Sequence, residues 1–273
     1  MQSSSVAISP VNPAAPYIGG KRNLARKIVP VIDALDNDGY AEPFVGMGGI
    51  FLRRQRRAKA EVINDVSGDV TNFFRIVREH YPFFMESIRG LITSRGEFQR
   101  QLGLPPQHLT DLQRAVRFLY VQRLAFGGKV AGRNFGVDSR TAARFNVLTL
   151  ERDIADLHDR LAGVVVEQLD FERFIARYDR PGMLFYLDPP YWGCEGDYGP
   201  DVFAPADFAR LAAALEIRGR FIMSINDTPG VRECFAGFEM LEVETTYTIG
   251  AAAAGGAKRV GELLVSNFPI ALT

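Results

Sequence analysis

The sequence predicts an α/β protein in which a mostly parallel sheet is covered by helices on both faces. Short apolar runs alternate with amphipathic segments over residues 23–79 and again over 164–235. This alternation is typical of parallel strands joined by helical crossovers. Two final apolar runs, 240–249 and 260–267, leave no room for a helix between them. They predict an antiparallel hairpin at one edge of the sheet.

Each predicted element follows from the spacing of its apolar residues, which recur every three to four positions in helices and form short runs in strands. The last helix also has a clear start, because Thr228 is a favourable N-cap and Pro229 fits the first helical position. The predicted helices are 23–33, with Pro30 as a local irregularity, 50–57, 70–79, 171–178, 206–217 and 228–235. The predicted strands are 40–45, 61–66, 164–169, 183–187 and 220–225.

Residues 81–146 interrupt this alternation. They are richer in arginine, glutamine and aromatic residues, and 109–124 has the spacing of an amphipathic helix. We therefore expect 1–80 and 147–273 to form one domain, and 81–146 to be a separate, mostly helical insertion.

Formal charge is unevenly distributed, although 32 basic and 32 acidic residues balance over the whole chain. Between Arg95 and Arg144 there are nine basic residues and three acidic ones, so this stretch carries +6 and the remainder −6. A local excess of this kind suits contact with phosphates. A solvated helical face with surplus arginine would have the same signature, and charge alone does not separate the two interpretations.

Several classes of protein are disfavoured by the composition. Residues 1–16 have no charged n-region and no long apolar run, so they predict a flexible tail and not a signal peptide. No apolar run approaches the roughly 20 residues that span a bilayer. Cys194, Cys234 and the scattered histidines suggest neither a zinc site nor a disulfide framework. We expect a cytoplasmic protein with no membrane partner and no metal.

A glycine-rich turn, 44–49 (FVGMGG), lies between a predicted strand and a predicted helix. Glycines let the backbone turn tightly and pass close to a ligand, and the helix N-terminus would offer unpaired N–H groups. The dinucleotide fingerprint G-x-G-x-x-G is not met, because Phe51 stands at the position of the third glycine. An ordinary strand–helix turn explains the pattern as well.

Asp65 lies at the end of the next predicted strand, about 20 positions after the glycines, as in nucleotide-binding folds. A carboxylate at this point can accept hydrogen bonds from both hydroxyls of a ribose. Residues 64–65 could equally cap the following helix, and both interpretations stay open.

The most specific pattern is residues 188–191 (DPPY), directly after the apolar strand 183–187. The two prolines fix a rigid, extended backbone. They follow a parallel strand, and open α/β folds bind ligands at the carboxyl ends of such strands. A proline-rich turn would explain the prolines, but not the acid before them and the aromatic after them.

Four motifs in order make the chain resemble the DNA adenine methyltransferase (Dam) family, the α-group amino-methyltransferases that use S-adenosylmethionine. The family's aromatic-small-Gly-Gly-Lys, E-P-F-x-G-x-G, acidic ribose-binding position and D-P-P-Y match residues 17–21, 42–48, 65 and 188–191. The resemblance extends from Tyr17 to about Phe268 and includes the hairpin segment 255–264. It implies a Rossmann-like methyltransferase sheet and S-adenosylmethionine as the cofactor.

The resemblance also implies roles for individual residues. The catalytic residues would be Asp188, Pro189, Pro190 and Tyr191. The cofactor site would be lined by Tyr17, Gly19, Lys21, Glu42, Phe44, Gly46, Gly48, Asp65, Asp170 and Asp188. The residues that contact DNA would be Arg123, Lys129, Arg133, Asn134, Arg140 and Lys258.

Two departures from the family pattern affect the DNA side. Pro16 stands where a basic residue often touches DNA, and 122–129 is an altered form of the segment that precedes a base-reading hairpin. Arg133 falls where a base-reading arginine is expected. The target sequence therefore cannot be carried over from the family.

The chemistry implied is methylation of adenine N6 in double-stranded DNA. The Asp188 carboxylate and the Pro189 carbonyl would each accept a hydrogen bond from the amine, which frees its lone pair, and Tyr191 would stack on the base. The base would have to be flipped out of the duplex. Alternatives are cytosine N4 as the target, a nicotinamide-dependent enzyme, and a non-catalytic nucleic-acid-binding module. We expect a monomer in solution.

Overall fold

Helices and strands alternate along most of the chain. The computed structural model describes residues 5–19, 21–136, 140, 142–199, 202–247 and 258–272, with the backbone alone at 22, 245–247 and 258–260. The helices are α1 (Arg22–Ala34), α2 (Gly68–Glu79), α3 (Tyr81–Arg89), α4 (Arg95–Gly103), α5 (Asp111–Leu124), α6 (Val147–Arg160), α7 (Phe171–Tyr178), α8 (Asp207–Ala214) and α9 (Pro229–Cys234). The strands are β1 (Val6–Ala7), β2 (Gly39–Glu42), β3 (Arg56–Arg57), β4 (Ala60–Asn64), β5 (Val165–Glu167), β6 (Met183–Leu187), β7 (Arg220–Asn226), β8 (Glu239–Tyr247) and β9 (Lys258–Ser266).

The main sheet of the described chain has the strand order β5-β4-β2-β6-β7-β9-β8. The five strands from β5 to β7 are parallel, whereas β9 runs antiparallel to both β7 and β8. The predicted α/β class and the predicted antiparallel hairpin at the sheet edge are confirmed. The last strand of the chain thus lies between β7 and β8, one position in from the edge.

The two faces of the sheet are covered by different helices. On β6, Leu184 and Tyr186 belong to one apolar cluster, together with α1, α2 and α6, and Phe185 and Leu187 belong to the other, with α7, α8 and α9. Side chains alternate between faces along a strand, so a strand buried on both faces is apolar throughout. This is why 183–187 is a continuous apolar run that the sequence predicts exactly.

The helices of the predicted insertion share the first of these clusters. Phe84 of α3, Phe98 of α4 and Leu119 of α5 are buried in the same contiguous group as Tyr40 of β2. A domain with its own core would have a separate group. The described helices of 81–146 therefore extend one face of the sheet domain, and the division into two domains stays a prediction.

The predicted helix at 50–57 is wrong. Only one 3-10 turn forms, at Phe51–Arg53, and the chain is extended at Arg54. The side chain of Arg54 is buried and donates a hydrogen bond to Glu61 at 2.7 Å. This long-range ion pair fixes Arg54 inside the protein, and residues 56–57 then pair with β1 and not with a helical neighbour.

The N-terminal segment is more ordered than a flexible tail. Val6 and Ala7 pair with β3, and the Val11 N–H donates to the Leu52 carbonyl at 2.7 Å. Ala14 and Ala15 are buried. These residues find backbone partners some 40 to 50 positions away along the chain, which local composition does not reveal.

The remaining predicted elements agree with the structure to within a few residues at each end, whereas α6 was not predicted. At α9, the Thr228 side chain accepts from the Val231 N–H and Pro229 is the first helical residue, so the predicted cap is confirmed. Among the described residues, no helix is both long and apolar enough to cross a bilayer.

Candidate active site

A cavity of about 1300 Å³ opens at the carboxyl ends of β2, β4 and β6. These strands are neighbours in the sheet, and Phe44, Asp65 and Asp188, which follow them in turn, all line the cavity. Pockets for drug-sized ligands measure about 300–1,000 Å³, so there is room for more than one such group. The predicted cofactor and catalytic motifs thus meet at the edge of the sheet where open α/β folds bind ligands.

Most of the predicted cofactor residues line this cavity. They are Tyr17, Gly19, Lys21, Phe44, Gly46, Asp65 and Asp188, and the predicted catalytic Pro190 and DNA-contacting Arg123 lie in the same wall. The wall also contains two aromatic residues that are not among the predicted site residues, Tyr198 and Phe203. Both follow the D-P-P-Y motif within 15 residues, in a segment rich in aromatic residues and glycine, which is the signal that could have identified them.

The glycine turn after β2 is shaped by its contact with Tyr17. Gly46 has φ of +49°, and a Cβ at this position would lie 2.9 Å from Cδ1 of Tyr17. Only glycine satisfies both the backbone conformation and the ring. Because no regular helix follows the turn, the Gly46 N–H is not part of a helix N-terminus. It donates to Oδ2 of Asp65 at 2.9 Å.

Asp65 lies between β4 and α2 but does not cap α2, whose N-cap is Ser67 with no side-chain cap hydrogen bond. Its binding to a ribose stays a prediction. Its Oδ1 accepts from the Ser67 N–H at 2.9 Å, just before α2 begins, and the carboxylate also lines the cavity. Burial raises the pKa of Asp65 to about 6, against the lowering effect of the backbone hydrogen bonds from Ser67 and Gly46. The group is therefore mostly ionised at neutral pH and presents an anion to the cavity.

Asp188 follows β6 and forms an ion pair with Lys21, whose Nζ lies 3.0 Å from Oδ1. Its side chain is 25% exposed, whereas that of Lys21 is 1% exposed. Burial raises the pKa of Asp188 to about 6. The charge of Lys21 and its hydrogen bond lower this pKa, and the charge of Glu262 raises it. A partly exposed carboxylate held from behind can accept hydrogen bonds from a ligand in the cavity.

Lys21 is the centre of a buried polar cluster. Its ammonium donates to Oε1 of Glu262 at 2.8 Å and to the hydroxyl of Tyr191. The Tyr191 hydroxyl in turn donates to the same Glu262 oxygen at 2.6 Å. Glu262 is not among the site residues predicted from the sequence, although an acid immediately before the apolar run 263–265 of β9 is a signal that it is held inside the protein.

Tyr191 and Pro189 are the neighbours of Pro190, which lines the cavity. Neither is among the residues that line the cavity, and the Tyr191 hydroxyl is engaged by Lys21 and Glu262. The stacking of Tyr191 on a base stays a prediction.

Three other predicted cofactor residues do not reach the cavity. Glu42 is buried below it and accepts from the Tyr40 hydroxyl at 2.6 Å, and burial raises its pKa to about 8. Gly48 is buried in the turn, at φ of +76°. Asp170 caps α7 and pairs with Arg210 at 3.2 Å; it does not line the cavity, although the ring centroid of the next residue, Phe171, lies 5.6 Å from that of Phe44.

Two of the predicted DNA-contacting arginines are engaged inside the protein. Arg123 donates to the carbonyls of Ala14 and Arg144. Arg133 donates to the Gln122 side chain at 3.0 Å and to the Lys129 carbonyl at 3.2 Å. In the structure these contacts stabilise loops around the cavity mouth, so part of the basic surplus between residues 95 and 144 is structural.

The other predicted DNA contacts lie on the surface or outside the described residues. Lys129, Asn134 and Arg140 are exposed, and the Asn134 amide donates to the Gly132 carbonyl at 3.3 Å. The side chain of Lys258 is outside the described part of the chain.

The comparison with protein families agrees with this geometry. The family model described as "D12 class N6 adenine-specific DNA methyltransferase" matches residues 17–249, a range that begins at the aromatic residue against Gly46 and includes β8. The chain belongs to this family. Its methyl donor is therefore S-adenosylmethionine, as the sequence predicted.

Relatives of this methyltransferase cover nearly its full length. It is 20% identical over 263 residues to the type II methyltransferase M.CviBI of Paramecium bursaria Chlorella virus NC1A, covering 94% of this chain and 100% of that protein. It is 24% identical to the type II methyltransferase M1.LlaDCHI of Lactococcus lactis subsp. cremoris, with 94% and 96% covered. Among solved structures, the rRNA methyltransferase aviRa from Streptomyces viridochromogenes aligns with a TM-score of 0.39 and 14% identity, covering 94% of this chain and 86% of that one.

Proposed function

We propose that this methyltransferase modifies the N6 amine of an adenine flipped out of double-stranded DNA into the cavity at the ends of β2, β4 and β6. The observation that carries the proposal is Asp188, a carboxylate held by a buried lysine and followed by two buried prolines, at a cavity that also contains Asp65. The cofactor would then lie on the β2–β4 side of the cavity and the base on the β6 side.

The β2–β4 side suits S-adenosylmethionine. Its sulfonium carries a positive charge and supplies a methyl group that is already activated for transfer. Asp65 offers a carboxylate for hydroxyl or cationic groups, Phe44 offers an apolar ring, and Gly46, which has no side chain, lets the ring of Tyr17 lie against the turn at the cavity. The residues present therefore fit the cofactor in polarity, charge and room.

The β6 side supplies the chemistry that adenine N6 lacks. The lone pair of this amine is delocalised into the ring, so the nitrogen is a poor nucleophile. Asp188 can accept one amine hydrogen and, as the family resemblance implies, the Pro189 carbonyl would accept the other, which favours a tetrahedral nitrogen and stabilises the positive charge that forms on it. Asp188 must be ionised to do this, and its pKa of about 6 meets that condition at neutral pH.

The cavity lies at the sheet edge, so the target base must leave the duplex to enter it. A base inside a duplex cannot enter a cavity at the sheet edge, and flipping it costs a few kcal/mol. Exposed Lys129 and Arg140 are suited to phosphates, which position the duplex, and Arg133 is the first candidate for reading a base. The protein would act as a monomer in the cytoplasm, where DNA is accessible.

The test is methylation of unmodified DNA with a labelled methyl donor, followed by mass spectrometry of the nucleosides. Wild type should give N6-methyladenine. Asp188→Ala and the isosteric Asp188→Asn should abolish transfer while binding S-adenosylmethionine with little loss. Asp36→Asn, which changes an exposed acid just before β2 and outside the cavity, serves as the matched control and should behave as wild type.

Two outcomes would contradict the proposal. N4-methylcytosine without N6-methyladenine would move the target to cytosine. Full transfer by Asp188→Ala, with wild-type amounts of product, would remove the carboxylate from the reaction and leave the cavity as a binding site only.

A further inference from the structure

The buried ammonium of Lys21 is held between two carboxylates from distant parts of the chain. Lys21 immediately precedes α1, Asp188 follows β6, and Glu262 lies within β9. The Nζ atom is 3.0 Å from Asp188 and 2.8 Å from Glu262. A buried charge is costly unless it is paired, so this lysine needs at least one of these anions to remain in place.

The two carboxylates differ in their environment. The side chain of Glu262 is 1% exposed and that of Asp188 is 25% exposed. Asp188 faces the cavity, whereas Glu262 is on the far side of the ammonium, where it also accepts from the Tyr191 hydroxyl at 2.6 Å. Glu262 therefore holds the Lys21 ammonium in place, and the ammonium holds the Asp188 carboxylate in place.

Strand pairing on both sides fixes the backbone of Glu262. In the sheet it lies opposite Asn226 of β7 on one side and Val243 of β8 on the other. Leu263, which follows it, is fully buried. A carboxylate at such a position is destabilising unless its partner compensates for it, which indicates a specific use for the charge.

We propose that Glu262 is a positioning residue for methyl transfer, which anchors the Lys21 ammonium so that Asp188 is held in the orientation that accepts the amine. This inference rests on the proposed role of Asp188. The hairpin β8–β9 is then part of the catalytic machinery and more than a covering for the sheet edge.

The charge of Glu262 also acts on Asp188 directly. Burial and the charge of Glu262 raise the pKa of Asp188. The charge of Lys21, the hydrogen bond from Lys21 and the hydrogen bond from the Ser224 hydroxyl lower this pKa. Three further acidic groups surround Asp188, which affects the pKa of each of them: Glu42, Tyr186 and Tyr198. Removal of the Glu262 charge should therefore move the titration of Asp188 to lower pH, even while transfer becomes slower.

The experiment compares Glu262→Gln and Glu262→Asp with wild type in steady-state methylation of DNA from pH 5 to 9. Misplacement of a reacting group by about 1 Å can cost about 100-fold, so we expect kcat to fall about 10- to 100-fold in both variants, with KM for DNA and the Kd of S-adenosylmethionine unchanged. The pH midpoint of the acid limb of kcat/KM should be lower than that of wild type in Glu262→Gln only, because Glu262→Asp keeps the negative charge. Glu239→Gln, at an exposed position of the same hairpin, is the matched control and should leave all of these values unchanged.

Tyr191→Phe is the second variant, in case Glu262→Gln does not fold. It removes the hydroxyl that links Lys21 to Glu262 and keeps the ring, so kcat should fall with little change in stability. A Glu262→Gln enzyme with unchanged kcat and an unmoved acid limb would overturn the inference. So would a folded Glu262→Gln enzyme that loses activity only because it no longer binds the cofactor.

The failure of this inference is distinguishable from failure of the proposed function. If Asp188→Asn is inactive and Glu262→Gln is fully active, only the role of Glu262 is wrong. If Asp188→Asn is active, the proposed function fails first.

Discussion

Replacement of Lys21 by methionine should make the methyltransferase active only in alkaline solution. Methionine keeps most of the volume and apolar stem of the buried lysine and removes the ammonium that lies 3.0 Å from Asp188. Asp188 then loses the main group that lowers its pKa, while burial and Glu262 continue to raise it. The catalytic carboxylate should be protonated, and hence unable to accept from the amine, at neutral pH.

The magnitude follows from the distance. Two unit charges at about 3 Å attract by about 5 kcal/mol at an effective dielectric constant of about 20. Since about 1.4 kcal/mol corresponds to one pKa unit, the pKa of Asp188 should rise from about 6 by up to about 3 to 4 units. The ionised fraction at pH 7 should fall from about 90% to below about 1%, a loss of about 100-fold or more.

The assay is kcat/KM for DNA methylation between pH 5 and 10, with folding checked by circular dichroism. Lys21→Met should be nearly inactive at pH 7 and recover part of its activity near pH 9 to 10. Lys27→Met, at an exposed position of α1, the helix that Lys21 precedes, is the control and should keep the wild-type profile. The reasoning is refuted if Lys21→Met is folded and its activity is reduced by the same factor at every pH.

Three further predictions address stability, cofactor binding and DNA recognition. The pKa of Glu42 is about 8 in the folded protein and about 4.3 in an unfolded chain. The folded state therefore binds the additional proton between these values, and stability falls as pH rises through this window. Glu42→Gln should remove about 2.5 kcal/mol of this fall between pH 6 and 8.5 in urea titrations, and an unchanged pH dependence would contradict the raised pKa. Asp65→Asn should weaken S-adenosylmethionine binding about 10- to 100-fold by calorimetry, because a hydrogen bond to a charged group contributes about 1.5–3 kcal/mol; an unchanged Kd would exclude Asp65 from the cofactor site. Arg133→Ala should relax sequence preference when modified bases are mapped, whereas Lys129→Ala should weaken methylation at all sites equally. Equal weakening by both variants would remove Arg133 from base reading.

Much of the fold could be predicted because its signals are local. The strand 183–187 and the helix 171–178 are predicted exactly, since a strand buried on both faces is continuously apolar and a surface helix is amphipathic. The helix predicted at 50–57 is wrong because Arg54 is withdrawn by Glu61 of the following strand. Such an ion pair between neighbouring elements has no periodic signature in the sequence.

The candidate site was predictable where its residues belong to motifs. Phe44, Gly46, Asp65 and Asp188 are close in space because they follow adjacent parallel strands, so strand order alone brings them together. Glu262 could not be placed in this way, because it lies in the middle of a strand and not at its end. Its proximity to Lys21 depends on the insertion of β9 between β7 and β8, which strand spacing does not determine.

The link between Lys21 and Glu262 spans 241 positions and has a consequence for synthesis. A growing polypeptide contains all four motifs once residue 191 has emerged from the ribosome, whereas the Glu262 carboxylate is made 71 residues later. Contacts between segments far apart in a chain also form late in folding, because closing a large loop costs entropy before the contact stabilises it. On this account a nascent enzyme methylates DNA slowly until translation has delivered the hairpin β8–β9.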